Sequence, residues 1–267
     1  MPEGVWALLR IQEVLDRLTP KGWIEGTVDG LITGQPEGEV RGIAVTFMAT
    51  QAAIEQAASL GANLLISHEG LFYSHRSAGR RTEEDKVVRQ KKRRLKELGL
   101  AVFRYHDGIH RELPDGITAG LIEELGWQDT VCAYEPASAL LELPAVNLGE
   151  LATLLKQRLK LSFVRFVGNP AMVCRKVGVL VGYRGGAELA IPLLGEADVI
   201  IAGEGPEWEA PEYVRDAVYQ GREKAMIFLG HGPSEAPGMN RLALRLREAY
   251  PSIPVYVIEN EPLFQWI

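Results

Sequence analysis

The sequence predicts an α/β protein made of two linked α/β domains with mostly parallel sheets. Short apolar runs with the length of buried strands alternate with longer amphipathic segments along most of the 267 residues. Because parallel strands need crossover connections, this alternation favours parallel pairing. A chain of this length can also bury one large core or two smaller ones.

The first domain opens with a βαβ unit. Its strand, helix and second strand are predicted at residues 40–47, 50–60 and 63–67, with Gly61 closing the helix. A charged helix, a strand and a further helix follow at residues 82–98, 100–105 and 116–125. Thr82 and Asp85 offer a capping box for the charged helix.

A domain boundary is predicted between residues 134 and 148, where Pro136 and Pro144 interrupt the periodicity. The second domain continues with a helix and two strands at residues 148–159, 177–181 and 197–202. The last stretch holds an apolar run before His231, then a helix and a strand at residues 235–250 and 254–258. We expect this stretch to return to the first sheet, so that one domain comprises 1–130 plus 220–267 and the other 131–219.

Composition excludes several classes of protein. The sequence has a hydrophobic content of 46% and a charged content of 24%, which are ordinary for a globular protein. Its formal charge of -6 argues against nucleic-acid binding, which usually needs a basic surface. The two cysteines, Cys132 and Cys174, form no paired pattern, so reduced thiols in the cytoplasm are expected. Charges from Arg10 onward favour an amphipathic helix over a signal peptide. The sequence contains no run of about 18 apolar residues, so no membrane span is predicted.

The basic run Lys91-Lys92-Arg93-Arg94 lies in the charged helix. Val88 and Leu95 can share one face of that helix, so the run is interpreted as its solvated side. Partner binding through this helix is the alternative, and it predicts a function that survives mutation of any metal ligands.

Histidines follow three apolar runs of strand length. They stand in His68-Glu69, in the block from His106 to His110, and in the segment from His231 to Glu235. Since the carboxyl ends of strands form the ligand crevice of an open α/β sheet, these side chains are expected to converge. Imidazole and carboxylate together suit a divalent ion such as Zn, Mn, Fe or Co.

Each histidine site also has an ordinary structural interpretation. His68 and Glu69 suit a capping arrangement, a buried histidine bonded to backbone would explain His106 or His110, and Glu235 would complement a helix dipole. The H-x-x-x-H spacing is that of a zincin helix, but Gly108 inside it predicts a loop. In a loop, one histidine can ligate an ion while the other orients a ligand.

In the same order along the chain, these motifs resemble a known family. They are Asp29-Gly30-Leu31, Ala62 to Glu69, the His106–His110 block, Gly203-Glu204, Gly230-His231 to Glu235, and Pro254 to Ile258. Together they are similar to the GTP cyclohydrolase 1 type 2 homologues, also called NGG-interacting-factor-like proteins. The resemblance implies two linked α/β domains, a dinuclear metal site in the cleft between them, and a ring-shaped homohexamer.

The resemblance also assigns ligand positions. The metal ligands it implies are His68, Glu69, His110, His231 and Glu235. Glu69 stands where the family has a second histidine and His110 where it has an aspartate, while His106 matches the histidine of the family's H-T-x-x-D block. Met48 falls where an aspartate is usual, and Trp208 lies near a frequent histidine.

Because Glu69 and His110 depart from the family's ligands, the sequence is compatible with a site for either one ion or two. Neutral imidazole offers one lone pair, so His110 cannot bridge two ions as an aspartate would, and Glu69 or Glu235 would have to do so.

The activity that the resemblance implies is metal-dependent hydrolysis of a small-molecule substrate. Glu235 or Glu69 would hold or deprotonate the attacking water, and His106 and Glu204 are candidates for proton transfer. Arg104, Arg111 and Arg184 are candidates for pairing with a substrate phosphate. The alternative is a non-catalytic metal-binding protein with a regulatory or scaffold role, whose site would be fully ligated by protein.

Overall fold

The structure is a computed structural model that describes residues 8–19, 25–76, 84–265 and 267. The chain divides into two compact α/β units. The first comprises Met1–Ile109 with Met239–Leu263, and the second His110–Gly238 with Phe264–Ile267.

The described helices are short, except for the last. They are α1 (Ile11–Leu18), α2 (Gln51–Ser59), α3 (Lys86–Leu98), α4 (Asp107–His110), α5 (Gly116–Glu124), α6 (Leu148–Arg158), α7 (Ala187–Leu194), α8 (Ala210–Tyr219) and α9 (His231–Ala249), with a 3₁₀ turn at Gln128–Thr130.

The strands form one sheet in each unit. They are β1 (Gly30–Thr33), β2 (Ile43–Thr46), β3 (Leu64–Ser67), β4 (Ala101–Arg104), β5 (Val131–Glu135), β6 (Ser138–Asn147), β7 (Arg165–Val167), β8 (Val173–Leu180), β9 (Val199–Ala202), β10 (Ala225–Phe228) and β11 (Val255–Val257).

The first sheet has the order β1-β4-β3-β2-β11 and is parallel except for β1. All residues of β2, β3 and β4 are buried, as expected for central strands covered on both faces. Ser67 pairs with Arg104, so β3 and β4 end side by side and the chain leaves both ends at the same edge.

The second sheet has the order β5-β6-β8-β9-β10-β7 and is mixed. Its centre, β8-β9-β10, is parallel, whereas the pairs β5-β6, β6-β8 and β10-β7 are antiparallel. The prediction of mostly parallel sheets is therefore correct for the first sheet and wrong for the second. Leu180, Ala202 and Phe228 end neighbouring strands, which brings the loops after them to one edge.

The segment predicted as a domain boundary is a β-hairpin. Pro136 and Ala137 form the turn between β5 and β6, and Pro144 lies in β6 where the register against β8 shifts between Glu142 and Val146. Proline is tolerated at such an irregularity because no ladder hydrogen bond is lost there.

The strand before His231 also lies elsewhere than expected. β10 belongs to the second sheet, between β9 and β7, while β11 pairs with β2 in the first. Residues 110–130 belong to the second unit, where Gly120 of α5 packs against Gly238 so closely that a Cβ on Gly120 would overlap with backbone.

The basic run of α3 is not wholly solvated. Lys91 is 1% exposed, and its Nζ donates to the carbonyl of Leu71 at 2.8 Å. Helical spacing explains the difference, because Lys91 shares the buried face with Val88 and Leu95. Among the described residues, no helix is long and apolar enough to cross a membrane.

Candidate metal-binding groups

His68 follows β3 and is fully buried. Its Nδ1 lies 3.1 Å from the carbonyl oxygen of Tyr105, which follows the neighbouring strand β4. A carbonyl can only accept a hydrogen bond, so Nδ1 carries the hydrogen and the lone pair of the neutral ring is on Nε2. The backbone therefore sets His68 in the form that can bind a metal through Nε2.

His106 has the same arrangement with a carboxylate. Its Nδ1 lies 2.9 Å from Oδ1 of Asp107. Burial raises the pKa of Asp107, but hydrogen bonds from His106, from the Val28 amide and from Thr27 outweigh it and lower that pKa to about 2. The ionised carboxylate accepts from Nδ1, which leaves the lone pair of His106 on Nε2, 3.9 Å from Oε1 of Glu69.

Asp29 organises the start of α4. Its Oδ1 accepts from the backbone amides of His106 (2.6 Å) and Asp107 (2.8 Å), and its Oδ2 from that of Gly108 (2.7 Å). These bonds satisfy the donors of a helical first turn, so the block predicted as a loop is a single turn of helix. A side chain on Gly108 would overlap with the ring of Tyr105, which explains a glycine inside this turn.

Arg104 holds the loop that contains Glu69. Arg104 is 4% exposed, and its guanidinium donates to Oε2 of Glu69 at 3.1 Å and to the carbonyls of His68 and His75. Burial lowers the pKa of Arg104, while the neighbouring carboxylate of Glu69 acts in the opposite direction. One of the two predicted carboxylate ligands is thus already paired with a buried cation.

His75 provides a contrast. Together with Glu69 and His106 it forms a group whose ligand atoms lie within 4.8 Å of one another. However, its Nδ1 lies 3.2 Å from a nitrogen of Arg104, which can only donate. Nδ1 must accept, so Nε2 of the neutral ring carries the hydrogen and is unsuited to bind an ion.

In the second unit, His231 begins α9, and only Leu229 and Gly230 separate it from the end of β10. Its Nδ1 lies 2.8 Å from Oε1 of Glu204, and its Nε2 lies 3.1 Å from Oε2 of Glu235, one helical turn further on. Carboxylates thus face both nitrogens. Glu204 accepts from Nδ1–H, while Nε2 and the 2%-exposed Glu235 present two ligand atoms side by side.

His110 reaches the same carboxylate from the other side. Its Nε2 lies 3.8 Å from Oε1 of Glu235, and its Nδ1 lies 3.0 Å from Oδ2 of Asp115. Asp115 also caps α5 and pairs with Arg184 at 2.7 Å. Burial raises the pKa of Asp115, but His110 and Arg184 outweigh it and hold that pKa below its ordinary value.

Two hydrogen arrangements are possible at His110, because a nitrogen of Arg184 lies 3.0 Å from its Nδ1. If Nδ1–H donates to Asp115, the lone pair is on Nε2 and faces Glu235. If Nδ1 accepts from Arg184, the neutral ring carries its hydrogen on Nε2 instead. Arg184 therefore competes with the ligand form of His110.

Gly182 allows Glu235 its position. Gly182 follows β8 with φ +59°, and a Cβ there would overlap with Oε1 of Glu235 and lie 3.3 Å from Nε2 of His231. Its amide donates to Oγ of Ser234 at 2.9 Å, which ties the loop to the first turn of α9. Only glycine fits both the backbone conformation and the space.

The predicted residues therefore gather within each unit. His68, Glu69 and His106 lie together in the first, and His110, Glu204, His231 and Glu235 in the second. Sequence reasoning missed the structural roles of Asp29, Asp107 and Asp115. For Asp115, its position directly before Gly116 was a readable capping signal.

Met48 and Trp208 stand at or near positions where the family usually has an aspartate and a histidine. Met48 exchanges two backbone hydrogen bonds with the side-chain amide of Asn260, both 2.9 Å. Trp208 is 77% exposed.

Comparisons with known proteins agree with the resemblance. The profile of the Duf34/NIF3 (NGG1p interacting factor 3) family matches residues 7–262. A "GTP cyclohydrolase 1 type 2 homolog" of Lactococcus lactis is 27% identical over 192 residues, which cover 68% of this chain and 70% of the relative.

Solved structures show the same fold. A hypothetical protein of Staphylococcus aureus has a TM-score of 0.78 at 18% identity, covering 97% of this chain and 100% of its own. A Bacillus cereus protein related to NIF3 has a TM-score of 0.74 at 17% identity, covering 97% and 99%. The family match extends over nearly all of the sequence, and the chain belongs to the Duf34/NIF3 family.

Proposed function

We propose that this protein binds divalent metal and acts as a metal-dependent hydrolase. One observation carries the proposal. The imidazoles of His68, His106, His110 and His231 each have Nδ1 within hydrogen-bond distance of a carbonyl or carboxylate oxygen. This is the arrangement that orients histidine ligands in metal sites and raises their basicity.

The ligands we propose are His68 and Glu69 in the first unit and His110, His231 and Glu235 in the second. Glu235 directs one oxygen to each of two imidazoles, at 3.1 and 3.8 Å, which suits a carboxylate shared between two ions. Imidazole and carboxylate without thiolate suit Zn, Mn, Fe or Co. A bound ion of this kind polarises the substrate and lowers the pKa of water toward about 7.

The chain's own residues would handle the protons. Glu235 or Glu69 would hold or deprotonate the attacking water, whichever of the two is not shared between ions. His106 is our candidate for proton transfer, because the ionised carboxylate of Asp107 accepts from its Nδ1–H and leaves Nε2 available to exchange a proton. The name of the Lactococcus lactis relative makes hydrolytic opening of a nitrogen heterocycle the first reaction to screen.

Elemental analysis of purified protein tests the proposal. We expect His231→Gln and His68→Gln to lose most of the bound metal, whereas His75→Gln retains it because His75 has the opposite tautomer. Equal metal content in all four proteins would overturn the ligand assignment.

A hydrolysis screen separates catalysis from the alternative role. Turnover that disappears with the metal in His231→Gln supports a hydrolase. Full metal content without turnover on any heterocycle or amide substrate would favour a non-catalytic metal-binding protein with a regulatory or scaffold role. A homohexamer is a separate proposal that rests on the family resemblance, and light scattering of the purified protein tests it.

A further inference from the structure

A cavity of about 420 Å³ in the first unit is lined by basic and aromatic side chains. The residues of interest are Phe72, His75, Arg76, Lys92 and Arg104. Among the described residues that line it, none is acidic. Its volume lies in the range of small-molecule sites, which is roughly 300–1,000 Å³.

The described residues balance the positive charge of this cavity only at Arg104, on which the carboxylates of Glu69, Asp29 and Asp107 act. Arg104 pairs with Glu69, but Arg76 and Lys92 form no ion pair with a carboxylate in the described part of the chain. Asp29 and Asp107 also accept hydrogen bonds from neutral donors, which hold both carboxylates in place. Asp29 accepts from the amides of α4, and Asp107 accepts from Thr27 and Val28. Two exposed cations, Arg76 and Lys92, therefore face a concave space, and neither forms an ion pair with a carboxylate among the described residues.

Phe72 supplies a flat wall in the same cavity. Its ring is half-buried, and Nζ of Lys92 lies 5.1 Å from the ring centroid. The remaining lining includes the apolar side chains of Val28, Ile32 and Leu71. An aromatic face beside cations suits a ligand that joins a planar ring to an anionic group.

We propose that this cavity binds a small phosphorylated molecule with a planar ring. Arg76 and Lys92 would contact the phosphate, since guanidinium and ammonium groups both bind phosphate well. The ring would lie against Phe72. Arg104, fixed by Glu69 and two carbonyls, forms a preorganised positive wall. A dianion is favoured over a carboxylate because two cations line the cavity that form no ion pair with any described carboxylate.

Calorimetric titration of the full chain with phenyl phosphate tests this proposal. Chelator-treated protein is used, so that the result does not depend on metal and a failure is distinguishable from a failure of the proposed hydrolase function. We expect phenyl phosphate to bind and benzoate to bind at least about tenfold more weakly. Inorganic phosphate should fall between them, because it lacks the ring.

Variants locate the site. Arg76→Gln and Lys92→Gln should each weaken phenyl phosphate binding about tenfold, a change of 1.4 kcal/mol. Both residues are exposed, so the variants should fold. Arg93→Gln is the matched control, because Arg93 is an exposed neighbour on α3 that does not line the cavity. The proposal is overturned if wild-type protein does not bind phenyl phosphate, if Arg76→Gln and Lys92→Gln bind it as wild type does, or if benzoate binds equally well.

Discussion

The two units present their histidines in similar ways but differ in how the carboxylate beside them is balanced. In the first unit, Glu69 pairs with the buried guanidinium of Arg104 at 3.1 Å. In the second, Glu235 faces imidazole nitrogens of His231 and His110 with its two oxygens. A carboxylate paired with a fixed cation attracts a metal ion less strongly. If the proposed ligands bind an ion, we therefore expect His110, His231 and Glu235 of the second unit (the second group) to bind it more strongly than His68 and Glu69 of the first unit (the first group), because the charge of Glu69 is offset by Arg104.

Glu235→Gln gives the sharpest test of this difference. It removes the charge that both imidazoles face, so we expect metal affinity to fall by at least about 100-fold, or roughly 3 kcal/mol. Glu69→Gln should cost only about tenfold, because Arg104 already offsets that charge. Metal titration with a competing chelator measures both. An equal loss in the two variants would contradict the ranking of the two groups.

Gly182→Ala tests the second group without changing a proposed ligand. The added methyl group overlaps with Oε1 of Glu235 and forces this carboxylate to move. We expect metal affinity to fall about 30-fold, or roughly 2 kcal/mol. Gly221→Ala is the control, since Gly221 also has a positive φ but no atom lies within 4 Å of the position that its Cβ would take. Unchanged metal affinity in Gly182→Ala would show that Glu235 has room to adjust.

Much of this arrangement was readable from the sequence, because it depends on local patterns. The apolar run before His68 predicts a buried strand, and the spacing of His231 and Glu235 predicts neighbours on one helical turn. The helix at Asp107–His110 was not readable, since its amides are satisfied by Asp29, which lies 77 residues before His106. The hairpin around Pro136 was missed because proline in an edge hairpin resembles a break.

The burial of Lys91 was not predicted from the sequence either. A run of four basic residues suggests a solvated face, but helical spacing places the first of them inside. Its ammonium group then anchors the carbonyl of Leu71, in the same loop as Glu69. Two buried cations, Arg104 and Lys91, thus hold the loop after β3 by donating to its backbone carbonyls. Local sequence patterns do not predict these contacts, because the side chains come from elements distant in sequence.

We therefore expect the free energy of unfolding to rise with pH in the alkaline range. Burial lowers the pKa of Lys91 from 10.5 to about 8. Between these values the unfolded chain binds a proton that the folded chain does not, so this group makes stability rise with pH in that window. Relative to Lys91→Met, the free energy of unfolding of wild-type protein should rise by about 2 kcal/mol between pH 8 and 10.

Urea unfolding of both proteins at each pH measures this difference, and other titrating groups cancel in it. Arg93→Met on the exposed side of α3 serves as the control and should run parallel to wild type. A difference between wild type and Lys91→Met that stays constant across the window would mean that the Lys91 ammonium is solvated, and the first unit would then rely on Arg104 alone.

Arg184→Gln gives the smallest expected change and concerns the second group. Arg184 lies 3.0 Å from Nδ1 of His110 and favours the form that carries hydrogen on Nε2. Its removal leaves Asp115 as the acceptor for Nδ1–H, so metal affinity should rise about threefold, or roughly 0.6 kcal/mol. Arg215→Gln, an exposed arginine of α8 paired with Glu212, is the matched control in the same chelator titration. A fall in affinity would mean that Arg184 chiefly positions Asp115, which in turn orients His110. The guanidinium of the second unit would then support a proposed ligand, whereas Arg104 in the first unit offsets the charge of Glu69.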